Sequence, residues 1–243
     1  MPILPQPLGF RFKKFQVVVP VTDLCVWLKA DTGVITSGSN VTAWNDQSGN
    51  NRNFSKYISN TGFPTYTGSE VKFTATATYG DYNASILALP SSSLNFTTPY
   101  TLAAVVRTGA NNSAIFSKSC DDAKRRKYQI SMNSGIVYSL EGNGDVYFQY
   151  DPGIGTNVNV KRLIISQYQT TSFGLMRYNG NQVATSSNSN TINQTNTAPI
   201  YIGASPFSSG SGYNAEASTE MYVYEILFYN RALSFTELQN LEN

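Results

Sequence analysis

The chain contains no histidine. That absence removes the usual general base, the Ser–His and Cys–His nucleophile pairs and the commonest transition-metal ligand. Cysteine is nearly absent too. Cys25 and Cys120 are far apart in sequence and read as two independent thiols, neither a disulfide framework nor a zinc set, although pairing between them stays open. Charge is scarce: Asp, Glu, Lys and Arg make up 13% of residues and the formal net charge is +2. A field this weak argues against nucleic acid and against an anionic membrane as partner. No apolar run approaches the ~18 residues of a membrane-spanning helix. The N-terminal Met1-Pro-Ile-Leu-Pro-Gln-Pro is broken by prolines, and the basic residues follow it, so the order expected of a secretory signal is missing.

What the chain does have is aromatic and β-branched side chains in short runs. There are 16 Tyr and 13 Phe among 243 residues, and hydrophobic residues reach 41%, enough for one large all-β domain. Strands are predicted at 102–107, 127–132, 136–140, 146–150, 163–167, 174–178, 200–202 and 221–229. Between them lie Ser-, Asn-, Gly- and Thr-rich stretches, read as loops at 36–40, 48–53, 186–197 and 205–217. Asn179-Gly180 after Tyr178 is a hairpin signal, because both positions accept the positive φ of a type I′ turn. Ser234 with Glu237 three residues later has capping-box spacing, and Leu238 and Leu241 give the short helix that follows one apolar face. Strict alternation through 221–229 puts Tyr222, Tyr224, Ile226 and Phe228 on one face and Met221, Val223, Glu225, Leu227 and Tyr229 on the other. Neither face is polar, so the strand reads as central and covered on both sides, and Glu225 needs a Lys, an Arg or a backbone N–H as partner.

Four segments together are more specific: Val26-Trp-Leu-Lys-Ala-Asp31, Trp44-Asn-Asp-Gln-Ser-Gly49, Ile200-Tyr-Ile-Gly-Ala204 and Glu220 to Leu241. In this order they closely resemble the laminin-G-like, concanavalin-A-type jelly-roll family over roughly residues 22–243. The resemblance implies a two-sheet antiparallel β-sandwich with a short C-terminal helix. Trp27, Trp44, Leu102, Val106, Ile164, Ile202, Ile226 and Phe228 are the expected core. Residues 1–20 form an extended N-terminal arm and residues 21–243 the domain.

Glucanases of the resembled fold carry a Glu-x-Asp-x-x-Glu run on one strand. None exists here, and Glu220 and Glu225 fall on opposite faces of a regularly alternating strand, so no catalytic residue is assigned and no enzymatic activity is expected. No cofactor or metal is expected either. Calcium is admitted by the resemblance, with Asp46, Asp81, Asn83, Asp145 and Asp151 as loop oxygens, but no calcium-loop motif is present. Asp46 and Ser48 read instead as side chains that hydrogen-bond their own turn, which Gly49 closes. Sugar binding is the best-known activity of the resembled family and needs exposed aromatic faces. Tyr147, Tyr150, Tyr168, Tyr178 and Tyr213, all near loops, are the candidates.

The arm carries Phe10, Arg11, Phe12, Lys13, Lys14, Phe15, Val17 and Val19. Proline keeps it extended while its Phe and Val side chains require burial. Its surface is either this domain's own sheet or a neighbouring subunit, and the second is expected. An uncharged polar surface, no evident export address and such an arm together suggest a virion structural protein: a head-decoration or fibre component of a bacteriophage or other virus, within an oligomeric assembly of virion subunits, with surface glycans as a further candidate partner. The alternative is an extracellular carbohydrate-binding adhesin domain.

Overall fold

A computed structural model describes residues 19–57, 61–75, 83–90, 94, 99–108, 112–119, 126–133, 136–141, 146–150, 159–170, 173–186, 199–207, 214–217 and 220–242, several of the strands through their backbone alone. The first half holds β1 (Leu24–Lys29), β2 (Val34–Ser37), β3 (Asn40–Trp44), β4 (Phe54–Lys56), β5 (Thr65–Tyr66), β6 (Val71–Thr74), β7 (Leu87–Leu89), β8 (Tyr100–Thr108) and β9 (Asn112–Ser119). Then come β10 (Arg126–Asn133), β11 (Ile136–Glu141), β12 (Val146–Tyr150), β13 (Arg162–Thr170), β14 (Phe173–Tyr178) and β15 (Asn181–Ser186). The chain closes with β16 (Ile200–Ile202), β17 (Ala204–Phe207), β18 (Asn214–Ala217), β19 (Glu220–Tyr229) and helix α1 (Phe235–Glu242).

Antiparallel pairing links seventeen strands into one network folded into two layers, with β17 and β18 as a separate ribbon. In the first layer β19 pairs with β8 on one edge and with β6 and then β1 on the other; β13, β14 and β15 continue beyond β8. The second layer runs β2, β3, β4, β7, β16, β9, β10, β11, β12. β5 pairs with both β3 and β6 and so joins the layers. No described helix is long and apolar enough to cross a membrane.

The main core lies between the layers and includes Val26, Trp44, Phe73, Leu102, Val106, Ile164, Ile202, Ile226 and Phe228. Stacked rings thread it. Phe116 and Phe228 have centroids 6.0 Å apart, Phe228 and Tyr100 5.7 Å, and Tyr100 and Tyr168 6.1 Å, all within 18° of parallel. Phe116 comes from the second layer and the other three from the first, so the rings interdigitate the two sheets, an offset geometry that adds to area burial. Trp27 departs from expectation. It is half-buried on the outer face of the first layer, against a second cluster of Leu24, Ala103, Ile165, Leu227, Tyr229, Leu233 and Leu238.

Local signals at the chain's turns and caps are realised. Asn179 (φ 46°) and Gly180 (φ 84°) form the two-residue loop joining β14 to β15. The Ser234 backbone N–H donates to Glu237 Oε2 (2.8 Å), and the Glu237 N–H donates back to Ser234 Oγ (3.4 Å). Leu238 is buried and Leu241 packs beside it. Two stretches read as loops are instead partly paired: residues 36–40 belong largely to the β2–β3 hairpin, and within 205–217 the described residues 205–207 and 214–217 fall in β17 and β18. Ser, Thr and Asn weaken a sequence-level strand signal, but a partner in register supplies the ladder regardless.

The alternation of β19 is broken. Val223 pairs with Val106, whereas the next pair is Glu225 with Val105, so Tyr224 is an extra residue, a β-bulge. Met221, Val223, Ile226 and Phe228 therefore all face the main core, while Leu227 and Tyr229 face the second cluster. Glu225 finds neither a cation nor a backbone N–H as its closest donor. The Trp27 indole N–H donates to its Oε1 at 2.6 Å.

Candidate functional site: the open half of the outer sheet face

Helix α1 and the segment before it cover only one half of the first layer's outer face. Thr101 and Gln167, both buried, anchor that segment: the Leu233 N–H donates to Gln167 Oε1 (3.0 Å), and Gln167 Nε2 donates to the Leu233 carbonyl (3.1 Å). Arg177 ties down the helix end through Glu242 at 2.6 and 2.8 Å.

Among the described residues no element covers the other half, which carries half-buried aromatic and charged side chains. Register builds it: Tyr222 stands between Lys72 on β6 and Arg107 on β8, and Glu225 between Lys29 on β1 and Val105 on β8. The Arg107 guanidinium lies 3.6 Å from the Tyr222 ring centroid. It is fixed there by Tyr224 Oη (3.2 Å), Asn159 Oδ1 (3.0 Å) and Glu70 Oε1 (2.6 Å). Glu220 accepts from Tyr222 Oη (2.6 Å) and pairs with Lys72 (3.0 Å). Those two donors, the Tyr222 hydroxyl first, hold the Glu220 carboxyl below its ordinary range. Burial pushes the Glu225 carboxyl up, against the lowering effect of the Trp27 hydrogen bond and Lys29. Lys161 Nζ sits 4.3 Å from the Tyr224 ring centroid and Lys29 Nζ 5.3 Å from that of Trp27.

The rings thus differ in what covers them. Tyr222 is capped by an arginine held in three hydrogen bonds. Tyr224 and Trp27 are capped by lysines, flexible point charges that move aside at little cost. Two displaceable aromatic platforms beside fixed polar groups are what a saccharide ring requires: an apolar face to stack on and directional partners for its hydroxyls.

Both Glu220 and Glu225 point to this outer face. The bulge corrects the expectation that they oppose each other. Each carboxylate is committed to its own partners, Glu220 to Tyr222 and Lys72 and Glu225 to the Trp27 indole.

The tyrosines singled out from sequence lie elsewhere. Tyr168 is 1% exposed and Tyr178 8%, both inside the main core, so neither presents a ring face; this corrects the reading of them as glycan contacts. Nearness to a loop misled there, because Tyr168 pairs with Tyr100 and joins its stack. Tyr147 and Tyr150 of β12 pair with Leu140 and Val137 of β11, and their side chains, like all of Tyr213, lie outside the described residues. Of the arm, Phe10, Arg11, Phe12, Lys13, Lys14, Phe15 and Val17 lie outside them as well. Val19 is described and packs partly buried on the second cluster of this domain's own sheet.

Asp46 organises its loop. Its Oδ1 accepts from the backbone N–H of Trp27 (2.8 Å) and of Ser48 (2.9 Å), and its Oδ2 from Ser48 Oγ (2.7 Å) and the Arg52 N–H (3.1 Å). The Trp27 strand and this loop are thereby one rigid unit beneath the platform. Of the remaining calcium candidates, Asn83 Oδ1 accepts from Thr61 (2.7 Å), and Asp81, Asp145 and Asp151 lie outside the described residues. Cys25 is free and buried, with its thiol pushed up by that burial. Cys120 lies outside the described residues.

Residues 80–239 match a laminin-G family described as the concanavalin A-like lectin/glucanases superfamily. The chain belongs to this superfamily. No curated protein matches it by sequence. Among solved structures, this superfamily member is similar to the binding domain of Paraclostridial Mosquitocidal Protein 1, at 15% identity and TM-score 0.60, covering 93% of this chain and 52% of that one. It is similar to botulinum neurotoxin type C, whose cell entry depends on interaction with two ganglioside molecules, at 11% identity and TM-score 0.63, covering 92% and 51%. It also matches Trypanosoma rangeli sialidase in complex with sialic acid, at 16% identity and TM-score 0.61, covering 92% and 33%. The chain therefore spans about half the length of the toxin chains and a third of the sialidase, and at these identities the likeness is one of fold.

Arg107, Lys161, Tyr222 and Tyr224 were not singled out from sequence as a site. The Tyr-x-Tyr of 222–224 was visible, but strict alternation assigned both rings to a covered face.

Proposed function

We propose that this chain is a non-enzymatic carbohydrate-binding domain whose ligand face is the open half of the outer sheet. The carrying observation is the juxtaposition of Trp27 and Tyr224, each under a displaceable lysine, around the Arg107–Glu70–Asn159 network. The superfamily supports the reading, as does a fold neighbour whose cell entry depends on gangliosides. The test is a glycan array with the intact chain, followed by Trp27→Ala and Tyr224→Ala. Binding that both variants lose, while their circular dichroism stays native, supports it. An array with no binder, or variants that bind as well as the parent, overturns it. For the non-enzymatic part, a polysaccharide panel should show no turnover. Hydrolysis abolished by Glu220→Gln or Glu225→Gln would refute it.

The finer form of this reading places the domain in a virion, or otherwise outside cells, where it meets surface glycans. Its support is compositional: the uncharged polar surface and the Pro-, Phe- and Val-rich arm. Val19 on the domain's own sheet favours the arm as part of this fold over the arm as a docking segment. Deleting residues 1–14 tests the two. A folded chain that no longer assembles supports docking, and an unfolded chain or unchanged assembly removes it.

A further inference from the structure

Among the described residues the open face balances Lys29, Lys72, Arg107 and Lys161 against Asp31, Glu70, Glu220 and Glu225, and Lys161 is the exposed cation outside the three ion pairs. Lys72 pairs with Glu220 (3.0 Å), Arg107 with Glu70 (2.6 Å) and Lys29 with Asp31 (3.5 Å). Glu225 is taken by the Trp27 indole. Lys161 is exposed, and among the described residues its ammonium forms no direct ion pair; it lies over the Tyr224 ring, within electrostatic reach of the buried Glu225 carboxyl. Beside it stands Asn159, also exposed, held at φ 78° with its N–H on the Thr108 carbonyl (2.7 Å). An arginine can only donate, so the Asn159 oxygen must face Arg107. That leaves the Asn159 amide NH₂ directed away from the guanidinium, with no partner among the described residues. Arg107 itself has engaged three of its five N–H groups. At this end of the face the exposed polar groups, the Lys161 ammonium and the Asn159 amide, are therefore both free to donate.

We infer that the preferred ligand is an acidic saccharide, its pyranose ring stacked on Tyr224 in place of the Lys161 ammonium and its carboxylate or sulfate received by Lys161 and the Asn159 amide. This rests on the glycan-binding reading and adds the ligand's charge and the end of the face that reads it. Displacing the ammonium from the ring costs little once an anion receives it, because the charge-assisted hydrogen bond replaces the cation–π contact. A neutral sugar offers no such exchange.

The experiment compares oligosaccharides identical but for a terminal glucose, a terminal glucuronate or a sulfated terminal glucose, by calorimetry with the intact chain. One acidic form should bind about tenfold tighter than the neutral one, and its advantage should shrink as salt is raised. Which acid leads distinguishes carboxylate from sulfate. Lys161→Gln should erase the difference between the acidic and neutral forms, and Trp27→Ala should weaken all three. Equal affinity for neutral and acidic forms, or a preference that survives Lys161→Gln, overturns the inference and leaves the glycan-binding reading standing. Failure of all three sugars, and of a broader array, removes both.

Discussion

Removing one partner of the Arg177–Glu242 pair should detach α1 from the sheet. The side chains are 6% and 9% exposed, and the guanidinium meets both carboxylate oxygens, at 2.6 and 2.8 Å. Its Nη2 also donates to the Gly180 carbonyl (2.7 Å), so one arginine joins the β14–β15 turn to the end of the helix. Breaking a buried pair by deleting one member costs about 3–5 kcal/mol, because the other charge stays behind in low dielectric. Glu242 ends the helix, and helix ends fray, so water reaches the orphaned charge and about 2–3 kcal/mol is expected. At roughly 2.1 cal/mol/K of unfolding entropy per residue, 243 residues give about 0.5 kcal/mol/K. Arg177→Ala should then lower Tm by about 4–6 °C. The assay is a thermal melt of Arg177→Ala, Glu242→Ala and the double variant. The double variant should melt close to either single, and Arg177→Leu with Glu242→Leu should recover most of the loss. Single variants within about 1 °C of the parent, or losses that simply add, would refute the claim that the pair is buried and coupled.

Asp46→Ala should lower Tm equally with and without a calcium chelator, because the carboxylate serves its own loop and the Trp27 backbone; a loss abolished by prior chelation would assign it to a metal. Glu237 has its pKa held down to about 2 by Arg231 and Ser234, so its stabilisation is present above the unfolded carboxylate range and is lost as pH falls from about 5 towards 2; Glu237→Gln should flatten that slope. Glu225 has the opposite sign: burial raises its pKa, so its ionised form costs stability as pH rises through and above the ordinary carboxylate range. Glu225→Gln, which keeps an acceptor for Trp27, should raise Tm more at pH 7 than at pH 4. Deleting Tyr224 should leave a sandwich that melts cooperatively yet no longer binds glycan, and a chain that fails to fold would make the bulge a structural necessity.

Local devices were legible in the sequence because they are decided by neighbours in the chain. Asn179-Gly180 specifies its turn, Ser234 with Glu237 its cap, and Asp46 with Ser48 its loop, each within a few residues. The long apolar strands were legible for the same reason, since Leu102–Val106 and Ile164–Ile165 bury themselves in any sheet. What the sequence does not carry is register. Arg107 and Tyr222 are far apart in the chain and meet because β8 and β19 pair at that offset. Trp27 is the exception: it alternates with Val26 and Leu28, which face the main core, and so shares the outer side with Lys29; the size of the indole, not its parity, suggested burial. Tyr168 erred in the reverse direction: a ring at a strand end reads as exposed until its partner Tyr100 is known to face the core.

The bulge at Tyr224 shows why these failures gather at the candidate site. Without residue 224, Val223 would still pair with Val106 and Glu225 with Val105, now as adjacent steps of an unbroken ladder. Met221, Val223, Ile226 and Phe228 would all keep facing the core, so the core places no demand on the extra residue. The ladder loses regularity at that step, and the Ala30 N–H donating to the Tyr224 carbonyl at 2.8 Å compensates in part. Everything else the residue contributes lies on the open face: a hydroxyl that fixes Arg107 and a ring that lies under Lys161. A residue that interrupts its own strand and spends its side chain on the outer side is a feature of the surface, and that is the placement the proposed ligand platform requires.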